Sequence, residues 1–253
     1  MKVVIVGAGN VATVLGRTIK NAGHDILQVI SRSAANAKAL ASELNTTFAD
    51  DFIALDKSAD LYLVAVSDNA LEQLGDQYQL GNKLVVHTAG SVSKEILKNV
   101  THNYGVLYPL QSLRKQSSPL QQAIPLLIDA NGPEALTLLQ DFAKTLSVNV
   151  SEANDAARLK LHLAAVLVNN FTNHLYALAE TYCAAEGVNF KLLQPLIEET
   201  ALRTRLHSAT TMQTGPAVRN DITTLEKHVH LLENYPDIKD VYLKMTDSIM
   251  NYE

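Results

Sequence analysis

One cysteine, no tryptophan and only 6% aromatic residues mark what this 253-residue chain does without. A single thiol, Cys183, excludes an intramolecular disulfide and any cysteine-rich metal centre. It sits in an apolar helical run with no histidine at a helical neighbour position, so a small buried hydrophobe is expected rather than a catalytic thiol. Positive charge is also scarce: 21 Lys and Arg against 26 Asp and Glu leave a net −5, and no basic cluster is denser than Arg203-Thr204-Arg205. That balance argues against a nucleic-acid partner. No run approaches the roughly 18 apolar residues of a membrane span, and residues 1–6 already read as a strand, with no room for a signal peptide. A cytoplasmic protein without a membrane partner is expected. No Gly-x-Ser-x-Gly elbow occurs, and the carboxylates form no persuasive acid pair. His228 and His230 stand about 200° apart on a helix and cannot share a metal there, so none is expected.

What is present begins at once. Val3-Val4-Ile5-Val6 is a buried-type strand that runs into Gly7-Ala8-Gly9-Asn10-Val11-Ala12, a Gly-x-Gly-x-x-Ala turn, and then into a segment with an apolar stripe at Val14, Leu15 and Ile19. This is the dinucleotide-binding fingerprint. Gly7 permits the tight turn, Gly9 leaves room for a pyrophosphate, and Ala12 lets helix and strand pack closely. The helix start at Asn10 and Val11 offers free N–H groups and a positive dipole end to phosphate.

Further apolar strand runs follow at Ile26–Ile30, Leu61–Val66, Leu84–His87, Gly105–Leu107 and Leu126–Ile128, with a short closing strand in Ser147–Ser151. Helical patterns separate them at Val11–Ala22, Ala34–Leu44, Ala70–Tyr78, Lys94–Val100 and Glu134–Leu146. Such alternation predicts an α/β fold with a doubly wound, mostly parallel sheet. From Asn154 the strand signal stops and helical periodicity takes over. Asn154 or Asp155 caps a helix running to about Glu186, and further segments are predicted at Phe190–Met212, Ala217–Glu233 and Asp237–Asn251. The expected division is a nucleotide-binding domain over 1–152 and a smaller all-helical domain over 153–253.

NAD-binding versions of this arrangement carry an acid at the end of the second strand, for the ribose 2′-OH. Here the strand ends Ile30-Ser31-Arg32-Ser33, with no acid. Arg32 can pair with a 2′-phosphate, and Ser31 and Ser33 can hydrogen-bond to it, so NADP is expected in place of NAD. Ligands of doubly wound sheets lie beyond the carboxyl ends of the strands. Val66-Ser67-Asp68, His87-Thr88-Ala89-Gly90 and Tyr108-Pro109-Leu110-Gln111-Ser112 should therefore line the cleft. Ser67-Asp68 also reads as a helix cap, and His87 as a core histidine.

Taken with His162 to Asn170 and Thr214-Gly215-Pro216-Ala217-Val218-Arg219-Asn220-Asp221, these motifs resemble a bacterial family. Its members join an N-terminal Rossmann domain to an all-helical C-terminal domain of unknown function. The chain is similar to pyrroline-5-carboxylate reductases and deazaflavin-dependent NADP oxidoreductases. The resemblance implies a 6-phosphogluconate-dehydrogenase-like plan and an oxidoreductase-like protein. The chain departs from the pattern at Tyr108, where a histidine usually precedes Pro-Leu-Gln, and at Asn220, where glycine is usual; a role tied to that histidine does not transfer. β-Hydroxyacid dehydrogenases, which share the plan, carry a Lys-x-x-x-Asn pair on the long helix. Lys160 is followed at i+4 by Ala164 and lies about 160° from His162, so the pair is missing. The Gly- and Ser/Thr-rich loop of pyrroline-5-carboxylate reductases is also missing.

On an ideal helix His162, Asn169 and Asn173 fall within about 20° of one stripe, with Asn170 about 80° away. The intervening Leu163-Ala164-Ala165-Val166-Leu167-Val168 is apolar on every face, which predicts burial within the domain or against a second subunit. Buried polar groups need partners, either neighbouring helices or a ligand. The leading expectation is an NADP(H)-dependent reductase of a small C=O or C=N substrate bound between the domains. His162 is then the acid, with Asn170 and Arg219 as orienting groups. Arg219 can also simply pair with Asp221. The alternative is a non-catalytic NADP(H) sensor or scaffold. Both readings include a homodimer through residues 156–186.

Overall fold

The computed structural model describes residues 1–73, 79–116 and 123–252. Its first half runs through strand β1 (Lys2–Val6), helix α1 (Asn10–Asn21), β2 (Asp25–Ile30), α2 (Ala34–Leu44), β3 (Thr47–Ala49), β4 (Leu61–Val64) and α3 (Asp68–Glu72). Then come β5 (Leu84–His87), β6 (Asn103–Pro109), β7 (Leu126–Ala130), α4 (Pro133–Leu146) and β8 (Val150–Glu152). The strands form one eight-stranded sheet in the order β3-β2-β1-β4-β5-β6-β7-β8. All neighbours are parallel except β6 and β7, which pair antiparallel from Gly105↔Ala130 to Pro109↔Leu126.

The apolar run of β1 has no polar alternation because both faces of the sheet are covered. Val3 and Ile5 point into one core with Leu15 and Ile19 of α1 and Phe142 of α4. Val4 and Val6 point into the other with Tyr62, Val64 and Leu71. The chain winds outward from β1 through β2 to β3, then returns to the other side of β1 with β4. The point of reversal lies between β1 and β4, where a doubly wound sheet opens a crevice.

Several expectations change in detail. Strand β3 was not foreseen: three residues, largely exposed, at the sheet edge carry no usable period. An apolar run also says nothing of strand direction, so the reversal at β7 was invisible. The segment Lys94–Val100 forms only a short 3-10 turn, Lys94–Leu97, capped by Ser93. The helix predicted over Ala70–Tyr78 is α3 as far as Glu72, and residues 74–78 lie outside the described residues.

Helix α5 (Asp155–Ala165) starts where predicted, with the Asn154 side chain accepting from Ala157 N at 2.9 Å. It passes through a π-helical stretch, Val166–Phe171, into α6 (Thr172–Ala185). A π-turn takes up more residues per revolution than an α-turn. The ideal-helix spacing that put His162, Asn169 and Asn173 on one stripe therefore does not carry across it. The region predicted as Phe190–Met212 holds a 3-10 turn and α7 (Gln194–Arg203). Helix α8 (Ile222–Leu231) begins later than Ala217, because Asn220 adopts φ +52° and Asp221 caps the helix through Thr224 N. Helix α9 (Pro236–Met250) ends the fold.

Two compact units result, Met1–Asn169 and Asn170–Glu253, and the sheet ends at Glu152. Cys183 is buried in α6. Among the described residues no helix is long and apolar enough to cross a membrane.

Candidate functional site

The crevice at the reversal point is a cleft of about 320 Å³ lined by the first turn (Gly7, Ala8, Gly9), the end of β2 (Ile30, Ser31, Arg32) and the end of β4 (Ala65, Val66, Ser67). Ala70 and Gln73 complete it. Gly7 donates its N–H to Ile30 O at 2.7 Å and holds φ at +115°. A Cβ there would stand 2.1 Å from Ala65 O, so the strand ends close up only around glycine. Gly9 differs: a Cβ would meet nothing within 4 Å. The space in front of it is open, at the N-terminus of the 12-residue α1. Six of the residues expected from sequence thus share this cleft: Gly7, Gly9, Ser31, Arg32, Val66 and Ser67.

The others stand around it. Asn10 opens α1 and its Oδ1 accepts from Lys115 N at 3.2 Å, while Arg17 donates to Lys115 O at 2.8 Å. The chain beyond β6 is thereby tied down on α1. Val11 follows on the same first turn. Ser33 caps α2 by accepting from Asn36 N at 3.4 Å, and Ser31 Oγ accepts from Ser33 N at 3.3 Å. Each hydroxyl keeps its own hydrogen to donate. Arg32 is exposed. Ser67 occupies the cap position of α3 without a side-chain capping bond. Asp68 accepts from Ser91 Oγ at 2.5 Å, joining the loops after β4 and β5.

Beyond β5 and β6 lies a second group. His87 is fully buried; its Nδ1 accepts from Ala89 N at 3.2 Å and its Nε2 has no hydrogen-bond partner. Burial, reinforced by the Arg158 cation, pushes His87 down to about 4, so it is neutral at pH 7. Thr88 and Ala89 are buried beside it. Arg158 on α5 is 1% exposed, and its Nη2 donates to Val92 O and to Asp155 Oδ1, the latter at 2.7 Å. Burial would raise the Asp155 carboxyl, but hydrogen bonds from Ser93 and Arg158 outweigh it and hold it below the usual range. Arg158 therefore fastens the first turns of α5 to the loop after β5.

One turn further along α5, His162 lies against Gly90. A Cβ on Gly90 would stand 2.7 Å from His162 Nδ1 and 2.9 Å from Tyr108 Cζ. Tyr108, near the end of β6, hydrogen-bonds through its hydroxyl to His162 Nδ1 at 2.9 Å. Burial pushes the Tyr108 phenol up, and the Arg158 cation works against that. The structure thus brings Gly90, Tyr108 and His162 together. Asn170 and Arg219 belong to the second unit, where both are exposed; the Asp221 carboxyl is held below the usual range chiefly by hydrogen bonds from Thr224, with the Arg219 cation adding to the effect.

Sequence reasoning placed Tyr108 at the cleft but not against His162, and it missed Asp155 and Arg158 as members of this group. The available signal was spacing: Asp155, Arg158 and His162 stand at i, i+3 and i+7, one face of a helix.

Residues 1–111 match the model of a Rossmann-like domain, and residues 124–249 match a domain of unknown function, DUF2520. No curated protein sequence matches the chain. A solved structure titled as a putative NADP oxidoreductase from Bacteroides fragilis is 36% identical, covers 98% of this chain and 97% of its own, and superposes with a TM-score of 0.92. A reductive aminase from Aspergillus terreus, in complex with NADPH and ethyl-5-oxohexanoate, is 17% identical over 98% of this chain and 92% of its own, with a TM-score of 0.72. A 1-pyrroline-5-carboxylate reductase from Streptococcus pyogenes is 15% identical over 99% and 98%, with a TM-score of 0.64. These last two share the fold.

Proposed function

The chain belongs to the family of the Bacteroides fragilis protein, in which a Rossmann-like domain precedes a DUF2520 domain, and from that premise we propose an NADP(H)-dependent oxidoreductase that reduces a small C=O or C=N substrate. The observation that carries this reading is the open cleft at Gly9, Ser31-Arg32 and Val66-Ser67 in a chain 36% identical to a protein described as a putative NADP oxidoreductase. The backbone N–H groups at Gly9, Asn10 and Val11 hold the pyrophosphate. Arg32, with Ser31 and Ser33, holds the 2′-phosphate. Asp68, His87, Thr88, Ala89 and Gly90 form the floor on the nicotinamide side. Bound NADPH supplies a hydride to the substrate carbon. His162 supplies the proton that the substrate heteroatom then needs, with Asn170 and Arg219 orienting the substrate.

Arg32→Ala tests the cofactor half. The native protein is expected to bind NADPH at least about 10-fold more tightly than NADH, the size of one charge-assisted hydrogen-bond pair. The variant should bind both alike. Equal affinities in the native protein would remove the assignment. For the chemistry, NADPH oxidation is followed at 340 nm across a panel of small imines and ketones. His162→Ala should lower turnover about 100-fold with NADPH affinity unchanged. A native protein that binds NADPH and oxidises it with no member of the panel supports the sensor or scaffold reading instead.

A homodimer through residues 156–186 is part of this proposal. Leu159, Leu163, Val168, Phe171 and Leu175 are exposed on one chain. In the second unit only Cys183, Ala217, Leu225 and Leu232 are buried hydrophobics among the described residues, too small a core for 84 residues without further cover. Light scattering at micromolar concentration should return twice the 27.6 kDa chain mass. A monomer would refute the dimer.

A further inference from the structure

We propose that Tyr108 and His162 form a two-step proton relay, in which Tyr108 donates its hydroxyl hydrogen to His162 Nδ1 and His162 delivers a proton from Nε2. The inference rests on the reductase reading for its chemistry and on geometry for its assignment.

Three observations point to it. The Tyr108 hydroxyl lies 2.9 Å from Nδ1, and Nδ1 is also the ring atom that faces Gly90. The imidazole is therefore held by its inner nitrogen, between a backbone that tolerates no Cβ and a half-buried phenol. Nε2, across the ring, has no hydrogen-bond partner among the described residues. With Tyr108 as donor, neutral His162 carries its hydrogen on Nε2, where an acid needs it. The third observation is Arg158, buried on the same helix one turn before His162, whose cation works against the burial that pushes the Tyr108 phenol up.

The balance closes. A hydride from NADPH forms the new C–H bond and leaves an electron pair on the substrate nitrogen or oxygen. That atom takes the Nε2 proton as Nδ1 takes the hydroxyl proton of Tyr108. The phenolate takes its proton back from Nδ1 as Nε2 recovers one from water, which restores the starting state of both residues. The sum is one substrate, one NADPH and one proton giving the reduced product and NADP⁺.

Tyr108 is a positioning residue in this scheme, since it acts through His162, and its test has two arms. In the first, the full-length protein is labelled with ¹⁵N-histidine and the His162 signals are identified by their loss in His162→Gln. At pH 7.5 the native protein should show a protonated Nε2 and an unprotonated, hydrogen-bonded Nδ1. In Tyr108→Phe the Nδ1 signal should move to the value of a free acceptor nitrogen. A protonated Nδ1 in the native protein overturns the relay, and that reading needs no variant. So does an Nδ1 signal that Tyr108→Phe leaves unmoved. In the second arm, Tyr108→Phe should lower kcat about 10-fold, the worth of one hydrogen bond, with KM for NADPH unchanged. Full kcat in the variant overturns the relay. If the native protein reduces no imine or ketone, the reductase reading fails, and with it the delivery step from Nε2. The spectra of the first arm then still decide whether Tyr108 sets the state of His162.

Discussion

Replacing Gly7 with alanine is expected to cost the first unit about 4 kcal/mol of stability and to abolish nucleotide binding, whereas Gly9→Ala should cost little stability and weaken binding alone. The two glycines sit two residues apart in one turn but answer to different constraints. At Gly7 the backbone holds φ +115°, and a Cβ would stand 2.1 Å from Ala65 O and 2.7 Å from Ala65 C. Those are main-chain atoms at the end of a central strand, with no rotamer to relieve the overlap. A left-handed conformation for a non-glycine residue costs about 1–3 kcal/mol, and forced overpacking about as much again. At Gly9 φ is −85°, and nothing lies within 4 Å of the added atom. Alanine fits the apoprotein there. What it obstructs is the approach of a pyrophosphate to the first turn of α1, so NADPH affinity should fall by about 10-fold or more. Urea unfolding and NADPH fluorescence titration of both variants separate the outcomes. A Gly9→Ala protein that binds normally would remove the pyrophosphate from this turn, and a stable Gly7→Ala protein would contradict the close approach of β1 and β4.

That contrast also shows what the amino-acid order could and could not convey. Gly7 and Gly9 were both legible as a fingerprint, because a strand followed by Gly-x-Gly-x-x-Ala and an apolar stripe is a local pattern. The parallel strands β1, β2, β4, β5 and β6 were legible for the same reason: each is a short apolar run bounded by turn residues. Helix α2 follows its predicted span, Ala34–Leu44. The direction of β7 was not legible, since pairing partners are set by the path of the chain and an apolar run reads alike both ways. The π-turn at Val166–Phe171 was hidden too, because its residues are good α-helix formers and only tertiary packing selects the wider turn. In the site, His162 stood out as a polar residue next to the apolar run Leu163–Val168. Its partners did not: Tyr108 lies 54 residues away, and their meeting depends on β6 and α5 folding over Gly90. Arg158 reads in sequence as an ordinary solvated cation, and its burial follows from Val92 O and Asp155 accepting its hydrogens.

The protein should also lose stability on mild acidification through one residue, His87. Its folded value is near 4 against about 6.5 when free, because the ring is fully buried at the end of β5 and faces the Arg158 cation; Asp155 and Asp68 oppose this only partly. Between those values the unfolded chain binds a proton that the folded chain refuses. Stability therefore rises with pH across this window: the contribution is fully present above pH 6.5 and is lost as pH falls toward 4. The span corresponds to about 3 kcal/mol. Asp155 acts in the same direction, but its folded value lies below the usual carboxylate range, so its share is lost at still lower pH. His87→Asn separates the two. Asparagine Oδ1 can take the place of Nδ1 as acceptor for Ala89 N, a bond of 3.2 Å in the native protein, and it does not titrate. Unfolding free energies from urea titration at pH 7 and pH 4.5 should differ by about 2–3 kcal/mol less in the variant than in the native protein. Equal losses in both would mean that His87 takes up its proton without unfolding. The unpaired Nε2 would then have an acceptor within reach, and Ser93, whose backbone already favours the charged ring, is the group to which the imidazolium would turn.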